Sequence, residues 1–336
     1  MKETELIATL AEGWARSPLQ ENERFASDAE ILSLEGRRLA VTVDDYSAED
    51  RLSAGDPALL GWNLVTATVS DLLAVGAVPR FVLNSFVATR DMDAAYLRAL
   101  AGGMQQALSA CGASMAGGDI GTGAEWRFTG VALGDFPAGQ APLSRLASCS
   151  AGAVMVTGAF GDANLAAGAG GPAPRFEMRL AESALLAALA PERAGTAPVA
   201  CIDTSDGLIR ALEIFGKLTP DLRIEIDLAA IPYAPGIDRA AEALNGPREV
   251  FLMGSAGEYE LAALVPERAA DDLARAGLRR IGTFRRDAQP GLFFRGGTDR
   301  IAHPGLPDPR EVDSFDAYCT ALMTLARRLF PPPGRR

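Results

Sequence analysis

The stretch CIDTSDGLIRALEIFG, residues 201–216, reads as a strand, a tight turn and a helix, and it leaves two carboxylates, Asp203 and Asp206, at the turn. Upstream the same punctuation recurs. RLAVTVD at 38–44 alternates and is β-branched in the manner of a strand, and it ends on Asp44 with Asp45 following. Asp56-Pro57 reads as an N-cap with proline at the first helical position, opening an apolar helix that runs to about Gly76 and carries Asn63, Ser70 and Asp71. FVLNSFVA at 81–88 is a second strand, 93–111 a second helix stopped by Gly112, and RFTGVALGDF at 127–136 another strand. Between the last two, ASMAGGD reaches Asp119 through Gly117 and Gly118.

Near residue 150 the pattern restarts. AVMVTGAFGD at 153–162 gives a strand, a glycine-containing turn and a helix start, and 175–189 reads as a helix. LRIEIDL and GLRRIGTF are strands, and a last helix covers 316–329. Strands and helices interleave in both halves, which predicts two α/β-type domains, 1–145 and 146–336. With Asp28, these readings place Asp28, Asp44, Asp71, Asp119, Asp203 and Asp206 where strands run out or helices carry unpaired polar groups. Carboxylates gathered this way are ligands for a hard cation such as Mg²⁺, which in turn holds substrate phosphates.

Composition narrows the chemistry. The chain has 336 residues and a formal charge of −11, with no basic cluster except Arg335-Arg336, which argues against a nucleic-acid partner. An acidic protein still binds an anionic nucleotide when metal ions lie between the charges. Cys111, Cys149, Cys201 and Cys319 form no C-x-x-C pair, so neither a zinc site nor a disulfide framework is indicated. The N-terminus lacks a signal pattern and no apolar run reaches the roughly 20 residues of a membrane span, so a cytoplasmic location without membrane contact is expected. His303, in the loop-like AHPGLPD, is the one histidine and reads as an exposed turn residue. Lys217 precedes Leu218 rather than Ser or Thr, so phosphate handling does not follow the P-loop plan.

TVSDLLAVGAVPR (68–80), MAGGD (115–119), VTGAFGD (156–162), CIDTSDGL (201–208) and GEYEL (257–261), in this order, resemble the thiamine-monophosphate kinases of the aminoimidazole ribonucleotide synthetase-like superfamily. The resemblance implies an α/β (α+β) fold with an N-terminal sheet domain that dimerises and a C-terminal α/β sandwich. It implies a kinase that passes the γ-phosphoryl of ATP to the phosphate of thiamine monophosphate, with Mg²⁺ as cofactor and a homodimer as the working unit. By the same resemblance Asp28, Asp44, Asp71, Asp119, Asp203 and Asp206 are metal ligands, with the Thr42 oxygen a further one. Gly118, Asp119, Arg145 and Ser205 meet the nucleotide, and Asp119, Asp206 and Arg145 carry the catalytic role. Phosphoryl transfer asks the protein mainly for positioning and charge neutralisation, which metals and one arginine supply.

Each assignment has a plainer competitor. Asp206, before Gly207 and a helix, also fits an N-cap, although Asp203 at the strand end does not. Asp71 fits an ion pair with an arginine, Gly117-Gly118 a turn, and Gly161 a packing or turn glycine rather than a phosphate loop.

The chain also departs from the family. Ala26-Ser27-Asp28 stands for Gly-Asp-Asp, and residues 117–123, GGDIGTG, stand for Gly-Gly-Asp-Thr-Thr-Arg-Gly. SAGEYEL at 255–261 stands for Gly-Gly-Glu-Asp-Tyr-Glu-Leu, Asp50-Arg51 replaces a histidine, and Ser314-Phe315-Asp316-Ala317-Tyr318 replaces Gly-Tyr-Asp-His-Phe. Metal and nucleotide positions mostly survive and acceptor positions mostly do not. Arg51, Glu258 and Phe315 are the acceptor-facing candidates, and Arg51 suits an anionic acceptor while Phe315 offers a ring face. Thiamine monophosphate remains the named acceptor, beside a paralogue acting on another small acceptor. Two further alternatives are an ATP-driven synthetase that activates an amide or carbonyl oxygen, and a nucleotide-binding protein without turnover. Hydrogenase-maturation relatives end in a reactive cysteine and selenophosphate synthetases carry an N-terminal Cys or selenocysteine, whereas here the chain ends PPPGRR and Cys111 is the first cysteine.

Overall fold

The structure, a computed structural model, describes residues 6, 9–11, 13–50, 55–169, 171–190, 199–296 and 299–331. In the first half lie β1 (Glu30–Leu34), β2 (Arg37–Ser47), α1 (Pro57–Ala74), β3 (Val78–Thr89), α2 (Ala94–Cys111), β4 (Ser114–Gly123) and β5 (Arg127–Asp135). The five strands form one sheet in the order β1-β2-β5-β3-β4, antiparallel except where β3 meets β4.

Helix α1 starts where Asp56 accepts a hydrogen bond from the Ala58 amide and Pro57 fixes the first turn. From Leu60 onward nearly every residue of α1 is buried, because the helix is covered on two sides. One side lies on the sheet, where a Cβ at Gly130 would strike Thr68. The other lies on α2, where Gly61 and Gly103 let the two backbones touch: added Cβ atoms would strike the Leu100 and Ala58 carbonyls. Asp93 caps α2 through the Tyr96 amide, and Gly112, at φ +70°, closes it.

The second half contributes β6 (Ala151–Val156), α3 (Asp162–Ala169), α4 (Leu180–Ala188), β7 (Ala200–Asp203), α5 (Leu208–Leu218), β8 (Leu222–Asp227), α6 (Ile237–Ala243), β9 (Leu261–Pro266), α7 (Glu267–Arg275), β10 (Arg279–Arg286), β11 (Gly291–Gly296), β12 (Asp299–Ala302) and α8 (Phe315–Leu329). Its seven strands run β12-β11-β8-β10-β6-β9-β7, with β8 and β11 the one parallel pair. Apolar residues of β6, β8 and β9 face α5 and α8 in one core, and a smaller cluster gathers around α7.

The helix expected over 175–189 begins only at Leu180. Upstream of it the backbone is engaged elsewhere: Asn63 of α1 donates to the Pro174 carbonyl at 2.8 Å and accepts from the Phe176 amide at 3.0 Å, and Trp62 Nε1 donates to the Phe176 carbonyl at 2.7 Å. Arg175 lies over the Trp62 ring, 3.5 Å from its centroid. This clasp joins the two halves, helped by Cys201, whose amide donates to the Ser144 carbonyl at 2.9 Å. His303 is not the exposed turn residue that its loop suggests. Its side chain is 2% exposed, and its Nε2 lies 2.8 Å from Glu213 Oε1 on α5. Among the described residues no helix is long and apolar enough to cross a membrane.

Candidate active site

Where the two sheets meet, three carboxylates converge. Asp28 precedes β1, Asp71 lies near the end of α1, and Asp203 ends β7; each offers an oxygen within 4.8 Å of the other two. Local sequence explains each address. β7 is buried through its last residue, Asp203, and among residues 60–74 of α1 Asp71 alone is not fully buried. Thr42 of β2 donates its hydroxyl to Asp71 Oδ2, and Asp44 stands two residues further along the same strand face. Arg145 donates to Asp28 Oδ1 from Nε at 3.0 Å and again from Nη2. Asp203 Oδ1 accepts from the Ser205 hydroxyl at 2.8 Å and from its amide at 3.3 Å.

Burial raises the Asp28 carboxyl to about 7 against the pull of Arg145, and the charge of Asp203 adds to the rise. Asp44 is likewise raised to about 7 by burial and then by Asp203, and Asp71 well above its ordinary range by the same two causes. Such a group of acids is costly to hold in ionised form without a cation. Asp28 Oδ2, Asp203 Oδ2 and the nearby Ser70 hydroxyl are buried without a hydrogen-bond partner. An all-oxygen donor set with unsatisfied buried oxygens fits a hard divalent ion such as Mg²⁺.

The other candidate residues fall at different distances from this centre. The charge of Asp206 acts on Asp44, so it lies beside the cluster. Gly207, at φ +84°, and not Asp206, holds the N-cap position of α5, where no side chain caps the helix. Asp71 is bonded to Thr42 rather than to an arginine. Asp119 sits on the exposed edge strand β4, opposite Ser85 and outside the group of three, and Gly118 lies against Asn84, where a Cβ would strike both its side chain and its carbonyl. Arg51 lies outside the described residues. Phe315 opens α8 at the edge of a cavity. Glu258 is buried, and its carboxylate accepts from the Gly161 amide at 2.7 Å and the Ala163 amide at 3.4 Å. Burial, then its contact with Asp162, pushes Glu258 up to about 9.

Sequence reasoning missed a buried tyrosine pair. Tyr46 and Tyr259 are buried in the same core, and burial first, with the charge of Asp44 adding to it, holds both phenols well above their ordinary range. The spacing of Asp44 and Tyr46 along β2 was the available signal, since residues two apart share a face. It also missed Asn164, which donates to the Phe251 carbonyl at 3.0 Å and accepts from the Ala256 amide at 3.1 Å.

A family model described as AIR synthase related protein, N-terminal domain, matches residues 26–135, the segment that holds the first sheet with Asp28 and Asp71. The thiamine-monophosphate kinase of Methanopyrus kandleri is 30% identical over 229 residues, which cover 66% of this chain and 71% of that protein. The chain belongs to the thiamine-monophosphate kinase family. The Escherichia coli (strain K12) thiamine-monophosphate kinase is 29% identical over 313 residues, 88% of this chain and 94% of its own. Among solved structures, AaThiL complexed with AMPPCP and TMP superposes with a TM-score of 0.72 over 90% of this chain and 97% of its own, at 18% identity. Two sheets flanked by helices, arranged in this way, are the AIR synthase-like fold of that family.

Proposed function

We propose that this chain is an ATP- and Mg²⁺-dependent phosphotransferase that passes the γ-phosphoryl of ATP to the phosphate of thiamine monophosphate, giving thiamine diphosphate and ADP. The observation that carries the reading is the convergence of Asp28, Asp71 and Asp203 with the Asp28 and Asp203 Oδ2 atoms unpartnered. The relatives' names support the reaction class and the acceptor.

Asp28, Asp71 and Asp203 would hold Mg²⁺, with Asp44, Asp206 and the Thr42 oxygen around them. The ion would supply charge neutralisation on the phosphates. Asp119 and Gly118 on β4, together with Arg145 and Ser205, would face the nucleotide. Arg145 fixes Asp28, and Ser205 fixes Asp203, so each also orients a carboxylate. In an in-line transfer an oxygen of the acceptor phosphate attacks Pγ, the bond from Pγ to the bridging oxygen of ADP breaks, and ADP leaves. Sheet geometry supports a division of the chain at residues 145 and 146, since β5 ends at Asp135 and β6 begins at Ala151. A homodimer and a cytoplasmic location complete the reading.

The test is ADP release with Mg²⁺ and ATP over thiamine monophosphate, other phosphate monoesters and small alcohols, with the products identified. Thiamine diphosphate formed in equal amount with ADP is expected. Free phosphate in equal amount with ADP would turn the reading to a synthetase, and tight ATP binding without ADP release would turn it to a binding protein. ATP affinity should collapse when Mg²⁺ is chelated; equal affinity with and without chelator removes the metal bridge.

A further inference from the structure

Two motifs that the acid cluster leaves unexplained, VTGAFGD and GEYEL, meet in the structure. Glu260, just ahead of β9, is buried, and its carboxylate accepts from both Nε and Nη2 of Arg179 and from the hydroxyl of Thr157, the residue after β6. Thr157 accepts in turn from the Leu261 amide at 2.8 Å. Gly158 follows at φ +56°, and a Cβ there would strike the Glu260 carboxylate and the Arg179 guanidinium, so the glycine of the first motif makes room for the ion pair of the second.

The backbone of Glu260 lies on the turn that carries Asp203. Its amide donates to the Thr204 hydroxyl at 3.0 Å, its carbonyl accepts from the Thr204 amide at 2.9 Å, and the Glu258 amide donates to the Thr204 carbonyl at 3.2 Å. Thr204, buried between Asp203 and Ser205 in the chain, therefore has all three of its polar groups bonded to residues 258–260. Arg179 ties this bed to the first half. It holds the N-cap position of α4, and one turn further on Ser183 donates its hydroxyl to the Leu73 carbonyl at 2.6 Å, two residues past Asp71. A Cβ at Gly76 would strike Ala187, so the same helix also packs closely against the chain just beyond α1. An unbroken line of contacts thus runs from Asp71 through Ser183, Arg179, Glu260 and Thr204 to Asp203, and it crosses the seam between the halves.

We propose that Arg179 and Glu260 are positioning residues, a strut that fixes the Asp203 turn against the end of α1, sets the spacing of Asp203 and Asp71, and thereby sets the affinity for the divalent ion. The role rests on the metal reading above for the identity of the ion, and on the contacts just described for the spacing. Neither side chain belongs to the acid cluster, so both act through Thr204 and Asp203. A guanidinium suits the task because its planar fork holds both carboxylate oxygens in one geometry, which the point charge of a lysine does not.

Calorimetric titration with Mn²⁺, without nucleotide, tests the strut on folded protein. Arg179→Gln and Glu260→Gln should each raise the Kd for Mn²⁺ by about tenfold, the scale of losing a group that orients metal ligands, and Arg179→Lys should recover part of the loss. The double variant should bind no worse than either single one, because the two side chains act as one unit. Should Arg179→Gln fail to fold, Glu260→Gln carries the test, since it keeps the shape of the side chain and leaves Arg179 with Glu182 at 3.6 Å. Arg223→Gln is the control: it removes an ion pair with Glu225, 2.7 Å long, on β8, which β10, β6 and β9 separate from β7, and it should leave the Kd for Mn²⁺ unchanged. Unaltered Mn²⁺ affinity in folded Arg179→Gln or Glu260→Gln, or an equal loss in Arg223→Gln, overturns the strut and leaves the metal cluster standing. A wild-type chain that takes up no Mn²⁺ removes the metal reading itself, and the strut with it.

Discussion

At Asp206 the structure separates two roles that look alike in sequence. Because Gly207 holds the N-cap position of α5, Asp206→Asn should leave the melting temperature nearly unchanged while turnover falls on the order of a hundred-fold, the scale of losing one well-placed charge in a phosphoryl-transfer site. A clear drop in melting temperature with turnover intact would return Asp206 to a structural role. Glu258 has a different prediction. Its carboxyl is raised by burial to about 9, against an unfolded value near 4.5, so the native state keeps a proton that the unfolded chain gives up. Stability contributed at this position is greatest below pH 4.5 and is lost as pH rises toward 9. Glu258→Gln, which cannot ionise, should therefore gain on the wild type as pH climbs from 5 to 9 in thermal melts; a constant difference across that range refutes the assignment. Asp203 and Asp206 were legible in the sequence because an apolar run, a turn and an acid lie within a few residues of each other. Glu258 was read as an acceptor contact, and His303 as exposed, because their partners at Gly161 and Glu213 are 97 and 90 positions away and no local pattern marks them.

Elements with their own punctuation were the readable ones. Helices α1 and α2 carry Asp56, Asp93 and Gly112 at their ends and fall where the sequence puts them. The helix after residue 175 does not, because Asn63 and Trp62 bind the backbone that would have formed its first turn, a competition visible only across the fold. Strand β4 was visible only as a glycine approach to Asp119, since its residues have little β-propensity and its place is set by parallel pairing with β3. Close backbone approach at Gly118 yields a prediction for that strand. Gly118→Ala would push against Asn84 and cost about 1–3 kcal/mol, by the usual scale for overpacking. Gly102→Ala, in α2 with nothing within 4 Å of the added atom, is the control and should be neutral or stabilising in chemical denaturation. Equal effects of the two would mean that the β3–β4 contact is looser than described.

For the whole molecule, α1 covers one face of the first sheet, while Val43, Phe81 and Leu83 leave apolar surface on the other, 62%, 50% and 36% exposed. Val43 and Leu83 both stand opposite Val131, so they form a row across three strands, and a second copy of the chain is the partner that the family resemblance implies for it. Light scattering at micromolar concentration should give twice the chain mass, and Leu83→Glu should shift it toward the monomer; a stable wild-type monomer refutes the dimer. Arg51, the arginine expected to favour an anionic acceptor, lies outside the described residues. The clasp at Trp62 has an optical consequence. Of the tryptophans, Trp62 alone sits where the two halves meet, with its indole N–H bonded across the seam and a guanidinium on its face. In a Trp14→Phe, Trp126→Phe background its emission becomes a gauge of the gap between the halves: a red shift that coincides with loss of far-ultraviolet circular dichroism is expected of a molecule that opens and unfolds as one unit, and a red shift at lower denaturant would reveal halves that part while still folded.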